Sequence, residues 1–126
     1  MIYDKNTFQD LLEGWEEVYK KGQLTLWVLV ALRERSMHMK DVKDHISSLT
    51  NATFTIDDNS MYRALNRYAK AGLITHRMAP NHSGPDLKEY VLTTLGTDLL
   101  QAFVAKNIDS VFYNDEVKRM ILGDRK

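Results

Sequence analysis

Three features of the sequence predict a mainly α fold with one small β-hairpin (α+β), a winged helix-turn-helix with additional N- and C-terminal helices. Residues 57–72 read as one helix marked at both ends, with Asp57 to cap its first free N–H groups and Gly72 where a left-handed C′ residue belongs. A shorter helix and a polar turn precede it. Two β-rich stretches separated by a dense run of turn formers follow it. Helix, turn, cationic second helix and then a hairpin is the order of a winged helix-turn-helix.

Taken from the N-terminus, residues 7–20 carry Phe8, Leu11, Leu12, Trp15, Val18 and Tyr19 at helical period, with acids opposite. Asn6 and Gln9 are spaced as a capping box. So large a stripe must be covered, either by the chain's own domain or by a dimer contact, and the dimer contact is the expected cover. After Lys21-Gly22, the stretch from Leu24 is apolar on nearly every side through Leu32 and closes on Arg33-Glu34-Arg35. Its length and charged close favour a central buried helix over a strand, and Trp27 reads first as core. Ser36 is placed to cap a helix from about Met37 to Ser48, with Met39, Val42, Ile46 and Leu49 inward. Its Lys40 and Lys43 alternate with Asp41 and Asp44. Thr50-Asn51-Ala52-Thr53 is a polar turn, and Phe54-Thr55-Ile56 an extended piece with both apolar residues inward.

The 57–72 helix sorts into two faces at 100° per residue: Met61, Ala64, Leu65 and Tyr68 inward; Asn59, Tyr62, Arg63, Asn66, Arg67 and Lys70 outward. From Met61 onward the outward face has three cations and no acid. Cations, amides and one aromatic suit phosphates and base edges in a major groove. Strands are expected at 73–78 and 88–93, joined by Ala79-Pro80-Asn81-His82-Ser83-Gly84-Pro85-Asp86, too long for a tight hairpin. Arg77, His76, His82 and Lys88 give this wing its reach towards phosphate, offset by Asp86 and Glu89. Thr94 is expected to cap a helix from Leu95 to about Lys106, and Asn114-Asp115 to restart a short one ending at Gly123. The C-terminal third holds more apolar stripe than such a domain needs, which again points to a dimer interface.

Length and charge narrow the function. With 126 residues the chain makes one domain; with 17 basic and 17 acidic residues its formal net charge is zero. That argues against a nonspecific nucleic-acid coat, whose affinity rests on many phosphate contacts, but not against a binder with a local cationic face. Absence of cysteine excludes disulfides and thiolate metal sites. The N-terminus lacks a signal-peptide layout, and the longest apolar run is far short of the ~20 residues a membrane span needs. A cytoplasmic, membrane-free protein is expected. His38 and His45 lie two turns apart on one helix and cannot share an ion, so no metal or other cofactor is expected. No nucleophile–base arrangement, phosphate loop or catalytic carboxylate pair appears, so the chain is not read as an enzyme.

From Ile56 to Leu100 the sequence resembles the PadR family of winged-helix transcriptional regulators. The residues that carry this are Ser60-Met61-Tyr62-Arg63-Ala64-Leu65-Asn66-Arg67 running into Ala71-Gly72-Leu73-Ile74, then Gly84-Pro85, Lys88-Glu89-Tyr90-Val91-Leu92-Thr93, Leu95-Gly96 and Leu99-Leu100. The resemblance implies a homodimer held by terminal helices, bound to a pseudo-palindromic double-stranded operator, usually as a repressor, with an interface space that admits small aromatic effectors in some members. Tyr62, Arg63 and Arg67 match the family's recognition-helix positions and Lys88 a wing cation. Asp57-Asp58 stand where the family commonly has Ser-Pro, and Leu87 and Glu89 where a basic residue and an aromatic are common.

The expected organisation is therefore a dimer-contact helix over 1–22, a winged helix-turn-helix over 23–94 and dimerisation helices over 95–126. A recognition helix at about 58–71 enters the major groove, and the wing at 73–93 lies on the backbone or minor groove. The expected DNA-binding residues are Lys40, Asn59, Ser60, Tyr62, Arg63, Asn66, Arg67, Lys70 and Lys88. Trp15 and Trp27 are the candidates for an aromatic effector. The neutral charge and Asp57-Asp58 keep one alternative open: a winged-helix protein–protein module or anti-regulator with little DNA binding.

Overall fold

The computed structural model describes residues 2–123. In order it contains α1 (Lys5–Lys21), α2 (Leu24–Glu34), α3 (Met39–Leu49), α4 (Asp58–Lys70), β1 (Ile74–Ala79), β2 (Leu87–Leu92), α5 (Thr94–Val104), a π-helical turn (Ala105–Asp109), α6 (Ser110–Phe112) and α7 (Asp115–Leu122). This is the mainly α, winged helix-turn-helix arrangement expected, with helices added at each end. The expected flanking segments 1–22 and 95–126 reach into residues 1 and 124–126, which lie outside the described residues.

The core sits between α2, α3 and α4 and is closed by the root of the hairpin and by α5. Val28, Leu29, Ala31 and Leu32 meet Val42 and Ile46, then Met61, Ala64, Leu65 and Tyr68, with Ile74, Tyr90 and Leu100 completing it. Tyr68 brings its polar end into this core and satisfies it against Thr25, Oγ1 to Oη 2.9 Å. Ends of α4 are sealed as its sequence predicts. Asp57 accepts from the Ser60 amide at 2.8 Å. Gly72, at φ +80°, donates to Ala69 O, and Leu73 donates to Tyr68 O, the pair of bonds that closes a Schellman motif.

The hairpin is antiparallel, with Ile74 opposite Leu92 and Arg77 opposite Glu89. Each strand lies one residue from its expected place. Met37 adds a single bridge to it: Tyr90 N donates to Met37 O at 2.8 Å and Met37 N to Tyr90 O at 3.2 Å. That bridge corrects the start of α3. Met37 is extended and buried, Ser36 caps nothing, and the helix begins at Met39 behind His38. Three other expectations at element ends also change. Asp4, not Asn6, caps α1, because its carboxylate reaches the Asn6 amide at 2.9 Å, while Gln9 turns to Glu13. Thr93, not Thr94, caps α5, its hydroxyl taking the Gly96 amide at 3.1 Å. Leu49, the last residue of α3, is exposed rather than inward.

Two features join the hairpin to the helix after it. The Thr93 hydroxyl lies 2.6 Å from Gly72 O and 2.9 Å from Leu73 O. Gly96 comes so close to the same backbone that a Cβ there would stand 2.2 Å from Leu73 O. Beyond α5 the helix does not stop at Lys106. It runs on through the π-helical turn, where Asn107 Nδ2 donates to Phe103 O at 3.2 Å and Ser110 Oγ to Lys106 O at 2.6 Å. Among the described residues, α1 contributes nothing to the buried core. Leu11, Trp15 and Val18 are each at least 70% exposed, and Phe103, Phe112, Tyr113, Met120 and Ile121 are exposed at the other end.

Candidate nucleic-acid interface

The site is built on the outward face of α4. Burial of Met61, Ala64, Leu65 and Tyr68 fixes the rotation of this helix, and so leaves Asn59, Tyr62, Arg63, Asn66, Arg67 and Lys70 exposed on its other side. Ser60 is half-buried and locally engaged: its hydroxyl donates to Asp57 Oδ2 at 2.8 Å and accepts from Arg63 Nη2 at 3.3 Å. Those bonds from the Ser60 amide and hydroxyl hold the Asp57 carboxyl below the usual carboxylate range, with a smaller contribution from the charge of Arg63. Asp58 forms an ion pair with Lys43 of α3. Both acids at the start of α4 therefore have a basic residue close by.

Lys43 is the residue that sequence reasoning left out of the site. It stands 15 positions before Asp58 on a different helix, and its apparent partners in sequence are Asp41 and Asp44. Nothing in a linear charge pattern pairs it with Asp58.

The wing meets α4 at a cleft of about 420 Å³ lined by Met39, Lys40, Tyr62, Leu87, Lys88 and Tyr90. Lys40, Tyr62 and Lys88, placed far apart by the sequence, thus share one concavity. Lys88 Nζ sits 5.8 Å from the centre of the Tyr62 ring, within range of a cation–π contact. Tyr90 closes the floor of the cleft, and burial raises the pKa of its phenol. Arg77 is spent within the wing, its Nε donating to Glu89 Oε1 at 2.7 Å. Arg67 lies with its guanidinium carbon 5.6 Å from the Tyr68 ring. His38 approaches Asp41 at 3.1 Å and His45 approaches Glu34 at 3.5 Å. No group of three or more potential metal ligands occurs among the described residues.

The two tryptophans are not brought together in one cleft. Trp27 is half-buried and lines a cleft of about 440 Å³ with Tyr19, Gln23, Leu26, Phe103 and Tyr113, whereas Trp15 is 74% exposed on α1.

A family model for the transcriptional regulator PadR-like family matches residues 28–102, well over half of the chain. The chain belongs to this family. The match begins in α2 and ends in α5, so it takes in the whole of the helix-turn-helix and its wing. Solved structures agree on the fold. A PadR family transcriptional regulator from Eggerthella lenta superposes with a TM-score of 0.69 at 22% identity, covering 91% of this chain and 96% of that one. A PadR-like regulator from Bacillus cereus gives 0.66 at 23% identity, covering 83% and 97%. Bacillus subtilis PadR, solved in complex with operator DNA, gives 0.61 at 19% identity, covering 70% of this chain and 49% of the longer PadR chain. No match is found among curated proteins. No helix among the described residues is long and apolar enough to cross a membrane.

Proposed function

We propose that this PadR-like protein is a homodimeric, sequence-specific DNA-binding transcriptional regulator of the cytoplasm, acting as a repressor. One observation carries the reading: α4 turns its apolar residues into the core and leaves an exposed face of two arginines, a lysine, two asparagines and a tyrosine, with an Lys40–Tyr62–Lys88 cleft at the wing beside it. Arg63, Asn66 and Arg67 read or position on base edges in the major groove, where arginine matches guanine and asparagine matches adenine. Tyr62, Lys70, Lys40 and Lys88 hold the backbone, and Asn59 and Ser60 complete the helix end. Solution of a family member with operator DNA supports the same use of the fold. The pairing of Asp58 with Lys43 weakens the charge argument for a pure protein–protein module.

Dimerisation is supported by the uncovered apolar residues of α1 and of the helices after α5. In this reading a small planar effector enters the cleft beside Trp27 rather than near Trp15.

The test is fluorescence anisotropy against duplex DNA from upstream of the protein's own coding region, at two salt concentrations, beside a scrambled duplex. Preference for the native duplex, weakening with salt as phosphate contacts require, is expected. Equal and feeble binding to both duplexes, together with recovery of a stoichiometric protein partner through α4, would favour the protein-module reading instead. Quenching of Trp27 by planar hydrophobic compounds, absent in Trp27→Phe, is the result expected for the effector.

A further inference from the structure

We infer that Ser60, held by Asp57, is a positioning residue for Arg63, so that one arginine of α4 is aimed before DNA arrives. This rests on the DNA-binding reading above and specifies how one contact in it is made.

The geometry runs through three side chains. Asp57 uses one carboxylate oxygen for the Ser60 amide and the other for the Ser60 hydroxyl, each at 2.8 Å. A serine hydroxyl has a single proton, and here it is committed to Asp57. The lone pairs of that oxygen are therefore what Ser60 offers its other neighbour, and Arg63 Nη2 donates to it at 3.3 Å. Positions 60 and 63 are one helical turn apart, so the bond costs no distortion of the helix. A guanidinium has five N–H donors in a fixed plane. Engaging one of them restrains where the guanidinium lies and leaves four donors for a partner outside. Bidentate recognition of guanine needs a fork held in one orientation, and an exposed arginine on a free stem must otherwise lose rotamer freedom on binding.

The experiment selects duplexes from a randomised pool with the wild-type protein and measures Kd for the selected sequence, for each single base-pair variant and for a scrambled duplex. Arg63→Ala identifies the base pair whose discrimination Arg63 controls. Ser60→Ala is expected to lower discrimination at that same base pair about tenfold, the scale of one good bidentate contact. Other positions are expected to keep theirs, Ser60→Thr to restore the lost discrimination, and the double variant to lose no more than Arg63→Ala alone. A general loosening of the helix end would instead relax every position together, and circular dichroism with thermal melting checks that each variant is folded. Full discrimination in Ser60→Ala, or additive losses in the double variant, overturns this inference alone. Failure of the wild-type protein to select any sequence overturns the DNA-binding reading and this inference with it.

Discussion

At the scale of single residues, the site depends on how charge is distributed within a chain that is neutral overall. Among the described residues Arg67 has no carboxylate partner, and it lies on the exposed face of α4. Arg67→Ala is expected to weaken operator binding by about 1–3 kcal/mol, measured by anisotropy titration; unchanged affinity would remove Arg67 from the reading residues. Asp57 makes a different prediction, about stability. Its carboxyl is held low in the folded chain by the Ser60 bonds. The stabilisation it gives is therefore complete above the ordinary carboxylate pKa and is lost as pH falls through the lowered folded value. In Asp57→Asn, which keeps a capping oxygen, urea midpoints are expected to fall below wild type at neutral pH and to converge with it in acid. A constant gap at all pH values would show that the charge contributes nothing.

At the scale of elements, the junction of β2 with α5 is the most constrained part of the fold. Gly96→Ala would drive a Cβ into Leu73 O at 2.2 Å and Leu92 Cδ1 at 2.7 Å. Overpacking of this kind costs about 1–3 kcal/mol or more, and here one of the clashing atoms is backbone. A lowered urea midpoint with an unchanged slope is expected, accompanied by loss of DNA binding as β1 and α4 shift. Gly96 is among the residues that carry the family resemblance, but the reason for glycine there was not legible, because nothing local marks a helix residue that must lie against the backbone leading into β1. The limits of α4 were legible, since Asp57, the four-residue spacing of its core side and Gly72 all act within one segment. Ends set by tertiary partners were not. Met37 pairs with Tyr90 across 53 positions (90 minus 37) and draws the chain out of the helix that Ser36 seemed to begin. The outward residues of α4 could be named from periodicity alone, whereas the pairing of Lys43 with Asp58 and the meeting of Lys40 with Lys88 needed the packing of three elements.

At the scale of the whole molecule, α1 poses the main question. It is 17 residues long with none buried. Isolated helices of about this length are marginal in water, and most helical stability in proteins comes from packing an apolar face. In the proposed dimer, that face is covered by the second copy. Trp15→Glu with Val18→Glu is expected to convert a species of twice the chain mass into a monomer in sedimentation analysis, to reduce far-UV helicity, and to weaken operator binding more than binding to a half-site. A wild-type protein already monomeric at micromolar concentration would refute the dimer.

The contact at Gly96 has a consequence for such a dimer. The end of α4, the start of the wing and the first turn of α5 meet at Gly72, Leu73, Thr93 and Gly96, with hydrogen bonds and backbone contact in place of a flexible linker. A joint of this kind transmits angle without slack. In the proposed dimer, a partner helix or a molecule wedged beside Trp27 that tilted the C-terminal helix would carry the reading head with it. The spacing between two heads would then respond to events at the far end of the chain as the arms of a caliper respond to its pivot.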